Sequence, residues 1–364
     1  MENDPGLILL ENDRLRLGIG ADDGSIRRLL DKRAGIDYVE RAPAAVPFRL
    51  ETDDVVGSAF ERFEWQRLDS AEAECGLSLI WHLAAGVTIR GRLSLDGTSL
   101  EFRCSADNRS SERLLSLEYP IVPNLRSITE EGEDDYVAHS YATGFKVRNP
   151  SKRFVHGSPG QRYMPYPESF SGASMQFFAY YGMNKGGLYF ACLDGEGYAK
   201  WLNFYKNENG LLEASFIHGC EEMGAGKGIA PPYPIRVDLL EGRDWHEAAD
   251  RYKSWAVRQK WCEGGTLAER KAAGQTAAWL HEEVGAATFG INAGSDRTPW
   301  LRKYLAPFEF DYLFRFDGAD GDLGRAAAQK NAAVSNGTAL VLLPSGESEF
   351  EVPPRSIVVV ELTA

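Results

Sequence analysis

Six histidines are spread through the chain, at His82, His139, His156, His218, His246 and His281. Imidazole is the side chain that exchanges a proton nearest neutrality, so a histidine near a carboxylate is the simplest acid–base pair a sequence can offer. His139 and His156 flank an irregular stretch and are the best placed, and His218 close to Glu221 and Glu222 is a further pair. His82 beside Trp81 reads as structural, and His246 reads as the exposed side of a helix. A second set of residues suits recognition. Tyr163, Tyr166, Trp201 and Tyr205 offer aromatic faces on which the C–H faces of a sugar pack, while Gln176, Asp194 and Lys200 offer groups that bond hydroxyls. Single aromatic residues are more often core than site. His139, His156, Tyr163, Tyr166, Gln176, Asp194, Lys200 and Trp201 are therefore candidates for binding a ligand, and no residue is assigned a catalytic role.

Other patterns point away from chemistry. The acidic run Glu130-Glu131-Gly132-Glu133-Asp134-Asp135 reads as a solvated loop, because a hard cation needs oxygens that converge in space rather than in sequence. Gly226-Lys227 fails the phosphate-loop pattern: Glu221 occupies the place of the first glycine and Gly228 that of the hydroxyl residue. Cys75, Cys104, Cys192, Cys220 and Cys262 are odd in number and lack C-x-x-C spacing, so neither a disulfide framework nor a zinc site is expected. No metal or cofactor is expected at all. A formal charge of -13 over 364 residues argues against nucleic-acid binding and against anionic membranes. The opening Met1-Glu2-Asn3-Asp4-Pro5 lacks the basic start and apolar core of a secretory signal, which makes the cytoplasm the expected location.

The elements that must carry these residues are short strands. Ser174 to Tyr181, Leu188 to Leu193, Tyr198 to Tyr205 and Leu211 to Ile217 are aromatic and β-branched runs separated by Gly, Asn and Asp clusters, a pattern that predicts an antiparallel meander. Similar runs occur at Leu7 to Leu10, Leu15 to Ile19, Ser25 to Leu30, Phe48 to Glu51, Phe60 to Leu68, Cys75 to Leu83, Val87 to Leu95, Leu100 to Ser105, Leu114 to Pro123 and Ile235 to Leu240. Ser127 to Arg153 shows no period and reads as a long loop. One helix is clear: Asp244 is a good N-cap with Glu247 three residues on, and Trp245, Ala248, Ala249, Tyr252, Trp255 and Ala256 fall on one face. Beyond Trp261 only Ala287 to Ile291 and Trp300 to Leu305 suggest a strand and a turn of helix, with later strands at Phe308 to Phe316, Thr338 to Leu343 and Ser356 to Leu362. The expected fold is mainly β: a large antiparallel β-supersandwich over residues 1–243, a helical connector with at most one βα remnant over 244–306, and a small C-terminal β-rich domain over 307–364.

Three blocks carry a family resemblance: Leu9 to Leu17 with Asp23-Gly24; Ala173 to Phe177 with Gly187, Leu188, Tyr189 and Asp194; and Gly242 to Trp245 through Tyr252, Trp255 and Trp261. Together they resemble bacterial glycoside hydrolases with a large N-terminal β-supersandwich, related in shape to galactose mutarotases. In that family a (β/α)8 barrel follows, then a small β-domain whose closing strand resembles Val352 to Glu361. Such a barrel takes about 250 residues, whereas Trp279 to Pro307 leaves room for about one of its units. The resemblance thus implies a carbohydrate-associated protein of hydrolase ancestry, sugar-binding or structural, whose catalytic barrel is missing. The alternatives are a mutarotase-like enzyme and a residual glycosidase, for which Asp296, Glu282 and Glu283 are the carboxylates at hand.

Overall fold

The computed structural model describes residues 6–40, 45–68, 75–141, 144–154, 164–167, 172–207, 209–220 and 224–275, with short strand segments at 312–313, 332–334, 341–342, 348–349 and 360–362. The chain divides into two compact units, Met1–Arg270 and Lys271–Ala364.

The first unit is mainly β, as its alternating apolar runs require. A four-stranded antiparallel sheet is formed by β1 (Leu7–Glu11), β2 (Leu15–Gly20), β3 (Ile26–Asp31) and β4 (Ile36–Asp37). The strands that follow are β5 (Arg49–Thr52), β6 (Val56–Gly57), β7 (Arg62–Leu68), β8 (Cys75–His82), β9 (Val87–Asp96), β10 (Ser99–Asn108) and β11 (Leu114–Leu125). After them come β12 (Asp135–Tyr141), β13 (Phe145–Arg148), β14 (Met164–Tyr166), β15 (Ala173–Gly182), β16 (Gly186–Cys192), β17 (Lys200–Lys206), β18 (Leu212–Gly219) and β19 (Ile235–Leu240). They build a nine-stranded sheet, β13-β12-β15-β16-β19-β10-β9-β8-β7, and a six-stranded sheet, β14-β17-β18-β11-β5-β6.

These two sheets stack face to face around one apolar core. Phe178 of the larger sheet meets Phe204 and Phe216 of the smaller with ring centroids 5.9 and 5.5 Å apart. Trp81, Phe48 and Tyr119 close the core further along, with the Trp81 indole N–H donating to the Asp23 carbonyl at 2.8 Å. Every one of these rings is at most 1% exposed. Truncating any of them to alanine removes transfer energy and opens a cavity, a cost of about 3 to 5 kcal/mol.

The meander expected over Ser174 to Ile217 is two hairpins in two different sheets. β15 pairs with β16 in the larger sheet and β17 with β18 in the smaller, so residues 193–199 cross between layers. The stretch expected as a loop, Ser127 to Arg153, holds β12, β13 and a short helix α1 (Pro150–Arg153). Its period was hidden because Asp135 and His139 occupy core-facing positions that alternation reserves for apolar side chains.

The second helix, α2 (Trp245–Ala256), lies on the outer face of the larger sheet, where Ala248 and Tyr252 pack with Phe177, Ala179, Tyr181 and Tyr189. Two details differ from the sequence reading. Trp245, first in the predicted stripe, is 39% exposed and stacks on His246. Glu247 reaches past the cap to accept the Glu241 N–H, while Asp244 accepts from Trp245 N at 2.6 Å. A third helix, α3 (Leu267–Ala272), follows.

Among the described residues of the C-terminal stretch, Tyr312–Leu313 and Ala332–Val334 flank Val360–Leu362 in one small sheet, and Val341–Leu342 pairs with Ser348–Glu349. Tyr312–Leu313, Val341–Leu342 and Val360–Leu362 fall inside predicted strands, whereas Ala332–Val334 and Ser348–Glu349 fall outside them. The expected elements at 287–291 and 300–305, with Glu282, Glu283 and Asp296, lie outside the described residues. No described helix is long and apolar enough to cross a membrane.

Candidate functional site

Strand alternation decides which candidates meet. On β17, Lys200 shares the core face with Leu202 and Phe204, and on β15, Gln176 shares it with Phe178. The crossover that leaves β16 brings Asp194 between them. Lys200 Nζ donates to Asp194 Oδ2 at 2.6 Å, to Gln176 Oε1 at 3.1 Å and to the Tyr198 carbonyl at 2.5 Å. Those three bonds use every hydrogen an ammonium has. The side chains of Lys200 and Asp194 are 0% and 1% exposed, so the pair is fully desolvated.

Asp194 is also the organiser of its loop. Its Oδ1 accepts from Glu196 N and Gly197 N at 2.8 and 3.1 Å, and its Oδ2 accepts from Tyr198 N at 2.6 Å. The Gln176 amide donates to the Asp194 carbonyl at 2.8 Å. Tyr166, opposite Lys200 in the β14–β17 register, has its ring centroid 4.6 Å from Nζ, and Tyr233 presents its ring at 4.6 Å as well. A desolvated ammonium gains up to about 2 kcal/mol from such a ring face. Burial also pushes the Tyr166 phenol up, with Tyr252 and Asp194 adding to it.

His218 completes this knot from β18, where it is paired directly with Lys200. Its Nε2 lies 2.8 Å from the Tyr119 carbonyl and its Nδ1 2.9 Å from the Tyr233 hydroxyl. A carbonyl only accepts, so Nε2 carries the hydrogen and Nδ1 accepts from Tyr233. Burial pushes the imidazole down to about 4, which fixes it as a neutral spacer. The partners foreseen for it, Glu221 and Glu222, lie outside the described residues.

Beside the knot is a groove of about 330 Å3 lined by Tyr198, Gly219, Lys227, Gly228, Ile229, Ala230, Pro231, Pro232 and Tyr233. Its far wall is tied to β10 by the reciprocal bonds of Ala106 and Ile229, at 2.7 and 3.0 Å. Only glycine fits at 228, because a Cβ there would stand 2.4 Å from the Ala106 carbonyl oxygen. Tyr198 and Tyr233 tilt against each other at 5.9 Å.

The remaining candidates are separate. Trp201 points to the other face of β17, half-buried, where its ring stands next to Gly219. On that same face Glu118 is held by Arg49, Asn203 and Ser215, and Tyr205 donates to Glu213, whose carboxyl is pushed up by burial. His139 lies inside the sandwich between Phe145 and Phe178. His156 and Tyr163 lie outside the described residues. Among the described residues no group of three or more His, Cys, Asp or Glu converges as a metal site would require.

The sequence reading named Tyr166, Gln176, Asp194 and Lys200, which the structure joins. It missed Tyr233, Tyr198 and Tyr119. The signal for the first was Pro231-Pro232-Tyr233-Pro234, a stiff segment built to present one ring.

No protein-family profile matches the chain. Over 193 residues it is 28% identical to the Monosiga brevicollis protein named "Putative glycoside hydrolase 22789", a stretch that is 51% of this chain and 15% of that relative. The fold matches the alpha-N-acetylgalactosaminidase NagBb of Bifidobacterium bifidum in its GalNAc complex with a TM-score of 0.54 at 15% identity, over 73% of this chain and 41% of that one. Its Gal-NHAc-DNJ complex gives 0.55 at 14% identity, over 73% and 40%. At such identities the likeness is one of fold. The chain spans about two fifths of the length of that enzyme.

Proposed function

We propose that this chain is a carbohydrate-associated module of glycoside-hydrolase ancestry that binds a sugar in the groove beside the Lys200 knot. The observation that carries the reading is the groove, about 330 Å3 in volume and walled by Tyr198 and Tyr233. Small-molecule sites run from about 300 to 1,000 Å3, so the space suits one or two sugar rings. A pyranose would lay its C–H face on a tyrosine ring and turn hydroxyls toward the backbone carbonyls of the 228–232 segment. The knot serves as support: Lys200 under Tyr233 and His218 on its hydroxyl hold that ring before any ligand arrives, which lowers the entropy lost on binding. The comparisons support the ligand class, since NagBb is named for an activity on N-acetylgalactosamine and was seen with GalNAc. The polar atoms of Gln176, Asp194 and Lys200 are bonded to one another, so the reading gives them a positioning role and names no acid or base.

Calorimetric titration with hexoses, N-acetylhexosamines and uronates tests this. At least one class should bind, and Tyr198→Ala should weaken it tenfold or more, about 1.4 kcal/mol. Silence across all three classes, or an affinity indifferent to Tyr198→Ala, refutes the reading.

A further inference from the structure

Among the described residues His139 is a buried side chain whose two ring nitrogens are at odds with their apolar surroundings. It is 5% exposed and, with Nδ1 and Nε2 both lacking a hydrogen-bond partner among the described residues, it lies nearly parallel between Phe145 and Phe178, at 5.6 Å from each ring and at 15° and 6° to them. Both rings are its direct cross-strand partners, Phe145 on β13 and Phe178 on β15. An apolar side chain would fill this place without leaving two ring nitrogens unsatisfied.

One side of this stack is weakly held. Among the described strands β13 is the outermost of the nine-stranded sheet and pairs only with β12, and it has Phe145 and Val147 half-buried and Lys146 and Arg148 exposed. Its far end is anchored, since Asn149 N donates to the Asp135 carbonyl at 2.7 Å and the Arg148 side chain bonds the Glu133 carbonyl at 2.7 Å. That leaves residues 145–147 between the turn at Gly144 and this anchor.

We propose that His139 makes β13 an acid-released flap: protonation of the imidazole is incompatible with the closed stack, so acid favours the state in which Phe145 has swung away and water reaches the ring. The groups facing His139 oppose this in no way that a counter-charge could. Its own strand carries Asp135 and Tyr141 on the core face, and Asp135 is committed to Ile128 N, Thr129 and Tyr180. β15 carries Gln176 and Tyr180, β13 only Phe145 and Val147, and across the core β17 and β18 carry Lys200, Lys206 and His218. Asp194, the carboxylate beside Gln176, is already paired with Lys200 at 2.6 Å, Lys206 is a cation and His218 is neutral, so none offers a free counter-charge to a new positive charge on His139. Burial alone drives the His139 imidazole down, to about 3. In an open flap it returns to about 6.5, so the opening constant at pH 5 is roughly 30-fold that at pH 7.5.

Hydrogen exchange read by mass spectrometry on peptides spanning 135–148, corrected for intrinsic rates, tests the flap in the full chain. Opening of β13 should rise by that factor between pH 7.5 and 5 in the wild type, with peptides of β8 to β10 unchanged. His139→Phe should flatten the dependence, and His139→Leu serves the same purpose if the larger ring disturbs packing. A wild-type profile that both variants reproduce overturns the proposal, as does loss of protection in β8 to β10 together with β13.

Discussion

Replacing Lys200 with methionine is the sharpest test of the knot, because it keeps the length of the side chain and removes only the charge. Nothing apolar is lost. What goes is the 2.6 Å pair with Asp194 and the bonds to Gln176 Oε1 and the Tyr198 carbonyl, all at a position 0% exposed. Breaking a buried pair at one end costs about 3 to 5 kcal/mol, since the survivor keeps its desolvation penalty. Three backbone N–H groups still hold Asp194, which places the expectation at the lower end, about 3 to 4 kcal/mol. That is a large share of a typical stability of about 5 to 15 kcal/mol. For a unit of this size it lowers the melting point by about 6 to 16 °C. Urea unfolding at neutral pH, with an unchanged m-value, measures it. Adding Asp194→Asn retains an acceptor for the loop and removes the stranded charge, so the double variant should be more stable than the sum of the singles by about 2 kcal/mol. A cost below about 1 kcal/mol for Lys200→Met, or simple additivity within about 0.5 kcal/mol, would show that the pair is neither buried nor coupled.

Two further expectations follow from named groups. Burial and the charge of Glu118 raise the folded-state pKa of Glu213 above its unfolded value, so stability is fully present at acid pH and falls as pH rises through the folded value. Glu213→Gln keeps an acceptor for Tyr205 and removes that loss: it should be more stable than wild type at pH 7, on the order of 1 kcal/mol, and level with it near pH 3. Urea midpoints at the two pH values decide, and an equal effect at both would sink the argument. Asp244→Ala removes the cap on α2 and should cost about 1 kcal/mol, seen as a lower melting point. No change would mean that Glu247, bonded to Glu241 N, already holds the helix start.

Much of the strand inventory was legible because its apolar positions alternate and its turns carry Gly, Asn and Asp. Two failures have the same root. Alternation locates a face but not the chemistry allowed on it, so the buried Asp135 and His139 made β12 read as loop. Turn residues announce a reversal but not its destination. Asp194-Gly195-Glu196-Gly197 has the composition of a hairpin turn, yet Asp194 spends its carboxylate on loop N–H groups and on Lys200, and the chain passes to the other sheet. The knot was half legible for a related reason. Tyr166, Gln176, Asp194 and Lys200 lie close in sequence and stood out as polar groups among strands, whereas Tyr119 and Tyr233 reach His218 from 99 and 15 residues away. Only the three-dimensional register of β17 with β18 sets His218 against Lys200.

The order of strands in the larger sheet also dictates when it can be completed during synthesis. β19 sits between β16 and β10, with Asp238 paired to Ser99 on one side and to Tyr189 on the other. Until that segment leaves the ribosome, the β7 to β10 half and the β12 to β16 half each present a raw edge of unpaired N–H and C=O groups, the kind that recruits other chains. Closing the gap joins Asp238 to Ser99, about half the length of the first unit away in sequence, a slow step for a polypeptide that must search over so long a loop. The newborn chain therefore passes through an interval of vulnerability to aggregation that ends only when residues 235–240 arrive as its keystone.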